Sequence, residues 1–374
     1  MRILALDPYL GGSHTAFFHG WTARSRHQWD LLGLAPEKSN LRIRQATIGL
    51  AEEVSRRSAD GQRWDLVVCS DMLNLAEFRG LVPEAVRRLP TVVYFFENQL
   101  TCPVRRESDR DLHFVLSNVT TALAADRVWF NSHFHRNDFL EGLERFLREM
   151  PEERLADAVE RIRAKSSVWY PGIDSGAPRG PRPPGPMRVL WVARWEHDKN
   201  PETFFQALKA LKWTGAEFRL SVLGQRFLEH PPAFDWARQY FYFHIDWWGY
   251  QPNRHDYDDA LAEADVVVST ASYEFFGIST VEAIAAGAYP LVPARLAFPE
   301  ILGPADSPEA RGFYYQGGAQ GLADRLVVLA ARTRQNDLWQ GDADRARRIV
   351  AKFHWDRLVP PMDEELEAIG RGSA

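Results

Sequence analysis

Two glutamates, Glu274 and Glu282, stand eight positions apart in the run Ala271–Gly287, ASYEFFGISTVEAIAAG. An ionised carboxylate only accepts hydrogen bonds, which suits the vicinal hydroxyls of a sugar or ribose and not a phosphate. Between the two glutamates, Phe276, Gly277 and Ile278 open a helix. A glycine there lets backbone N–H groups approach an anion at the positive end of the helix dipole. If both glutamates were helical, eight residues at roughly 100° each would leave Glu282 about 80° around from Glu274, so two hydroxyl-bearing groups can be held along one edge. The chemistry this predicts is a nucleotide-sugar site. The competing explanation is a glutamate complementing the dipole and a second, solvated glutamate on the helix face. The apolar run before Glu274, the FFG sequence and the small-residue helix favour the site.

Other loops carry residues suited to the same ligand. Ala193–Pro201 holds Arg194 and Lys199, which can converge on a diphosphate, Arg through its forked donors and Lys as a movable point charge. A surface ion pair with Glu196 or Asp198 is the alternative there. Asp198 or Asn200 is suited to cap the next helix, with Pro201 in its first turn. Near the N-terminus, Gly11 and Gly12 permit close backbone approach to a phosphate or sugar, followed by Ser13 and His14. This is neither the dinucleotide fingerprint nor a Walker loop. Glu97, Asn98 and Gln99 follow an aromatic run and are suited to hydroxyl or base recognition, while Asn131, Ser132, His133 and His135 follow another. Either of those histidines is more readily structural. The aromatic stripes Tyr240–Phe243 and Trp247-Trp248 read as core or interdomain packing.

Short, β-branched apolar runs must position these loops. They are Ile3–Leu6, Leu66–Cys69, Thr91–Phe95 and Arg127–Phe130, then Val189–Val192, Arg219–Leu223, Val266–Ser269 and Tyr289–Val292. Helical patterns alternate with them, which implies parallel sheets built from βαβ units. The Pro- and Gly-crowded segment 170–186 reads as a linker between an N-terminal domain (1–169) and a C-terminal domain (187–351). Residues 352–374 read as a final helix that packs back on the first domain. Ligands in such sheets bind beyond the carboxyl ends of the strands, and two domains facing each other make a cleft there.

Composition narrows the class. The 374 residues carry a net charge of −5 with neither half strongly basic, and only six of the 45 basic residues are lysine. An RNA partner would therefore need a local arginine patch. No apolar run approaches a membrane span, so a soluble, cytoplasmic protein is expected. Cys69 and Cys102 are too few for a disulfide framework or a zinc site.

Together these features resemble retaining GT-B glycosyltransferases with a Glu-x7-Glu signature, an α/β fold of two doubly wound Rossmann-like domains facing across a cleft. More narrowly, LGGSH at 10–14, SDMLNLAEF at 70–78, FENQLTCPV at 96–104, ADRVWFNSHF at 125–134 and YEFFGISTVEA at 273–283 are similar to the tRNA-queuosine α-mannosyltransferases. The chain departs from that family's pattern at Phe96 and Tyr273, where the family has histidine. The resemblance implies catalytic roles for Arg194 and Lys199 on the diphosphate and Glu274 on the transferred sugar. It implies donor binding by Gly11, Gly12, Phe276, Gly277, Ile278 and Glu282, the last on the ribose. The acceptor would fall to Ser13, His14, Glu97, Asn98, Gln99, Asn131 and Ser132, with RNA contacts from Arg42, Arg44, Arg105 and Arg106. The implied reaction moves mannose from GDP-mannose to queuosine in tRNA, with no metal or other cofactor. The alternatives are a GT-B enzyme acting on a lipid, polysaccharide or small molecule, and a non-catalytic RNA-binding protein of the same fold.

Overall fold

The computed structural model describes residues 1–35, 40–104, 110–149, 157–174, 185–342 and 344–372, without the side chains of 40–43. The chain divides into two compact units, Met1–Gly172 with Trp355–Ala374, and Ile173–His354.

The first unit is built on β1 (Arg2–Asp7), β2 (Gln28–Gly33), β3 (Leu66–Ser70), β4 (Thr91–Phe95), β5 (Arg127–Phe130) and β6 (Ser166–Val168). They form one sheet in the order β2-β1-β3-β4-β5-β6, and every pairing is parallel. The chain steps from β1 to one side and then returns to β3 on the other. This switch point is where an open α/β sheet leaves a crevice. Strands β1, β3 and β4 are apolar on both faces because helices cover both faces of the sheet.

One of those helices comes from the far end of the chain. Trp355–Arg371 returns to the first unit and lays Trp355, Leu358, Val359, Met362, Leu366 and Ile369 into the core around Phe17, Trp21 and Trp129. Trp355 fits because Gly20 and Gly172 leave room: a Cβ would stand 2.3 Å from its ring at Gly20 and 2.1 Å at Gly172. Two carboxylates on the helix fix its register. Asp363 accepts from Trp21 Nε1, Ser25 Oγ and Arg26 N, and Glu365 accepts from Trp129 Nε1, Trp169 Nε1 and Ser167 Oγ.

The second unit holds β7 (Met187–Val192), β8 (Phe218–Leu223), β9 (Ile245–Gly249), β10 (Val266–Val268), β11 (Tyr289–Pro293) and β12 (Tyr314–Tyr315). Their order is β12-β11-β10-β7-β8-β9, again parallel throughout. Its switch point lies between β7 and β10. The Tyr240–Phe243 stripe corrects an expectation: Phe241 is buried, but Tyr242 and Phe243 are 68% and 86% exposed, on a short 3-10 turn. Trp247 and Trp248 sit half-buried on the edge strand β9, with Trp247 Nε1 donating to Glu263. Residues 175–184 of the expected linker lie outside the described residues.

Candidate active site

The loops after β7 and β10 meet at the switch point of the second sheet. After β7 the chain makes a 3-10 turn, His197–Lys199, then passes through Asn200 at φ 49° into the helix Pro201–Trp213. Asn is one of the few residues that tolerate this left-handed conformation. Its side chain makes no capping bond to the helix backbone but accepts from Thr203 Oγ1, and Pro201 occupies the first turn as expected. After β10 the chain is pinned to this turn, since Ser272 donates from N and Oγ to the Asp198 carbonyl at 2.8 and 2.9 Å. Thr270 Oγ1 donates to the Lys199 carbonyl at 2.7 Å.

The turn buries Lys199, 6% exposed, between carboxylates. Its Nζ lies 3.0 Å from Asp198, 3.3 Å from Glu274 and 2.6 Å from the Tyr273 carbonyl. Burial works against the ammonium, but Glu274 and Asp198 outweigh it and hold the lysine above its ordinary range. Arg194 pairs with Glu196 at 3.3 Å while its side chain stays 41% exposed. Each cation thus has a carboxylate partner, Glu196 for Arg194 and Asp198 with Glu274 for Lys199.

Phe275 and Phe276 anchor the Glu274 loop in the core, and Gly277 then turns it at φ 80° into the helix Ile278–Ala285. Only glycine adopts that φ without strain. Gly277 also packs closely, since a Cβ there would stand 3.4 Å from Glu274 Cγ and from the Phe298 ring. Ser279 Oγ ties the helix start to the Val192 carbonyl at the end of β7. Glu274 itself precedes the helix. A small pocket beyond the strand ends is lined by Ala193, Lys199, Ser269, Thr270, Glu274 and Thr280. Glu282, one turn into the helix and 16% exposed, accepts from Tyr257 Oη at 2.8 Å and pairs with Arg254 at 3.1 Å. Neither partner was legible as part of the site.

The first sheet builds a different cluster at its own switch point. Asp7, at the end of β1, is fully buried and holds Ser70 Oγ and Tyr9 N at 2.9 Å on one oxygen and His14 Nδ1 at 2.8 Å on the other. His14 follows Gly11 and Gly12, where Gly12 adopts φ 52° before the helix Ser13–Thr22. Its ring stacks on Phe96 at 3.8 Å. Burial opposes the imidazolium, but Asp7, helped by Asp71 and Glu97, holds it above its ordinary range. Burial pushes the Asp71 carboxyl up to about 7, against His14 and the bond from Phe96 N.

The remaining expected acceptor residues divide. Exposed Ser13 opens the helix Ser13–Thr22, and half-buried Glu97 and Gln99 lie on the loop after β4. Asn98 is buried and accepts from Thr101 N and Oγ1 while donating to Asp138. Asn131 donates to the Phe96 carbonyl and pairs with His135, and Ser132 Oγ accepts from His135 N. These three side chains hold the loops in shape. Arg44 pairs with Asp111 at 2.7 Å and lies over the Phe114 ring. Arg105, Arg106 and the Arg42 side chain lie outside the described residues. Among the described residues no three His, Cys, Asp or Glu side chains group so as to hold a metal ion, and no helix is long and apolar enough to cross a membrane.

The fold has solved counterparts. Sucrose-phosphate synthase from Thermosynechococcus elongatus superposes with a TM-score of 0.74 at 15% identity, covering 100% of both chains. HepE of Anabaena in complex with UDP gives 0.66 at 15% identity, over 98% of this chain and 100% of that one. Residues 177–329 match the family described as glycosyl transferases group 1. The chain is a two-domain α/β glycosyltransferase of the GT-B fold. Residues 2–173 match the family described as tRNA-queuosine alpha-mannosyltransferase N-terminal. The tRNA-queuosine alpha-mannosyltransferase of Drosophila melanogaster is 31% identical over 80% of this chain and 81% of its own length. The chain belongs to the tRNA-queuosine α-mannosyltransferase family. A GDP-mannose-dependent alpha-(1-6)-phosphatidylinositol dimannoside mannosyltransferase of Mycobacterium tuberculosis is 27% identical over 49% of this chain and 45% of its own.

Proposed function

We propose that this glycosyltransferase moves mannose from GDP-mannose to a cyclopentene hydroxyl of queuosine in the tRNA anticodon loop, with retained anomeric configuration. The observation that carries the reading is Lys199, buried and charged beside Glu274 at the switch point of the second sheet. The name of the Drosophila relative supports the sugar and the acceptor, and that of the mycobacterial relative supports the donor.

In this reading the bond between the anomeric carbon and the diphosphate breaks, leaving positive charge on the sugar and negative charge on the phosphate. Lys199, Arg194 and the first turn of the helix Ile278–Ala285 stabilise the developing anion. Glu274 accepts from sugar hydroxyls and Glu282 from the ribose. The acceptor hydroxyl attacks from the face that the diphosphate leaves, and its proton passes to the departing phosphate oxygen, so no protein base is assigned. The cations come from side chains, and no metal enters the reaction. Ser13, His14, Glu97 and Gln99 meet the acceptor, and Arg44 with Arg42, Arg105 and Arg106 contacts the RNA backbone. The enzyme acts in the cytoplasm.

Incubation with queuosine-containing tRNA and a panel of nucleotide sugars, followed by nucleoside mass spectrometry, tests this. A hexose on queuosine with GDP-mannose is expected. No mass shift with any donor turns the acceptor into a smaller molecule or a lipid.

A further inference from the structure

Glu282 cannot act alone, because a mostly buried carboxylate tends to protonate, and a protonated one loses acceptor capacity. Burial does push Glu282 above the usual carboxylate range. Two side chains from the helix Arg254–Glu263 work against this. Tyr257 Oη donates to Oε2 at 2.8 Å, and Arg254 Nη2 lies 3.1 Å from Oε1. Arg254 is itself fixed, its Nε donating to Asp258 at 2.9 Å and its guanidinium lying 5.2 Å from the centre of the Tyr257 ring. Each carboxylate oxygen therefore holds one protein donor. Of roughly four acceptor positions, about two are left, one on each oxygen. Two acceptors side by side on a fixed carboxylate match a vicinal diol.

We propose that Tyr257 and Arg254 are positioning residues for nucleotide recognition: each holds one oxygen of Glu282, and together they aim its two remaining acceptor positions at the 2′- and 3′-hydroxyls of the donor ribose. This rests on the proposed role of Glu282. The charged and titratable groups acting on Glu282 are Arg254, Tyr257 and Asp258, the last opposing ionisation.

The test is calorimetric titration of the full chain with GDP, UDP and the 2′-deoxy form of each, at pH 6 and pH 8. The wild type is expected to prefer the ribonucleotide about tenfold, the size of one hydrogen bond to a charged group. Glu282→Gln should erase that preference. Tyr257→Phe should shrink it several-fold and more strongly at pH 6, because without the tyrosine bond Glu282 protonates at higher pH. Arg254→Gln should act in the same direction, and unfolding midpoints confirm that the variants fold. Tyr257→Phe and Arg254→Gln with wild-type preference at both pH values overturn the positioning role while Glu282 still reads the ribose. Glu282→Gln with unchanged preference, or a wild type that binds neither nucleotide, overturns the underlying assignment and this inference with it.

Discussion

The two switch points place charge in opposite ways. In the second unit, Lys199 sits between Asp198 and Glu274, and the two loops that follow β7 and β10 supply all three. In the first, His14 is held by Asp7 and faces Asp71 and Glu97, so three segments, those at and beyond the ends of β1, β3 and β4, contribute to one cluster. The lysine keeps its charge across the physiological range. Burial brings the Asp71 carboxyl up to about 7, and Asp7 holds the imidazole above its ordinary range. In the proposed reaction the lysine site would serve the charged leaving group, and the imidazole site a neutral acceptor whose hydroxyls need both donors and acceptors.

Breaking the donor side should have the largest effect. Lys199→Ala and Glu274→Gln are each expected to lower transfer by about 10²- to 10³-fold, in the range seen when a preorganised transition-state contact is lost. Single-turnover assays with saturating tRNA would measure this. Wild-type turnover in either variant removes the pair from the chemistry.

The first unit should be the more sensitive to its packing against the chain's last helix. Gly20→Val drives a side chain into the Trp355 ring, and overpacking of this kind costs about 2–3 kcal/mol. Denaturant melts should show the loss, and hydrogen exchange should assign it to the first unit.

A pH series sharpens the contrast further. A group whose folded pKa is raised adds stability that is complete below its unfolded pKa and is lost as pH rises through the folded value. For His14 that loss begins near 6.5, and for Asp71 it ends near 7. Buried His135, held well below 6.5, acts in the opposite sense and only at lower pH. Hydrogen exchange in β1 and the helix Ser13–Thr22 should therefore speed up as pH rises above 6.5, after correction for intrinsic rates. Lys199 is also raised, but from 10.5, so the turn His197–Lys199 should show no such change. Asp7→Asn should bring the His14 titration down, since burial is then left with less opposition.

The smallest effect is expected at Phe96, which packs on His14, Phe17 and Tyr94. Phe96→His installs the residue that the resemblance implies at this position while keeping a flat ring on His14. The swap trades an apolar ring for a polar one on a half-buried position, so a modest loss of stability is expected in denaturant melts, and any change in activity should appear in the tRNA dependence.

What the chain disclosed beforehand follows the same physics. The interior strands β1, β3, β4, β5, β7, β8, β10 and β11 were all legible as apolar runs, because burial on both faces leaves few polar positions. The strands that were not, β2, β6, β9 and β12, are the four sheet edges. Gln28–Gly33 is mostly half-exposed, Ser166–Val168 is three residues long, Ile245–Gly249 reads as an aromatic stripe, and Tyr314–Tyr315 has two residues. Arg194, Lys199, Glu274 and Gly277 could be found because loop chemistry directly follows a buried strand. The Asp7–His14 pair, the internal bonding of Asn98, Asn131 and Ser132, and the hold of Tyr257 and Arg254 on Glu282 could not. The bonds Asn98–Asp138, Asn131–Phe96 and Tyr257–Glu282 join residues 40, 35 and 25 positions apart, and the local ones depend on loop conformations that residue types do not specify.

The division of labour between the two switch points is tested most directly by titrating GDP into the wild type, Lys199→Ala and His14→Gln. Loss of nucleotide binding in Lys199→Ala with unchanged binding in His14→Gln is the expected result. Nucleotide binding retained by Lys199→Ala, or lost in a folded His14→Gln, would contradict it.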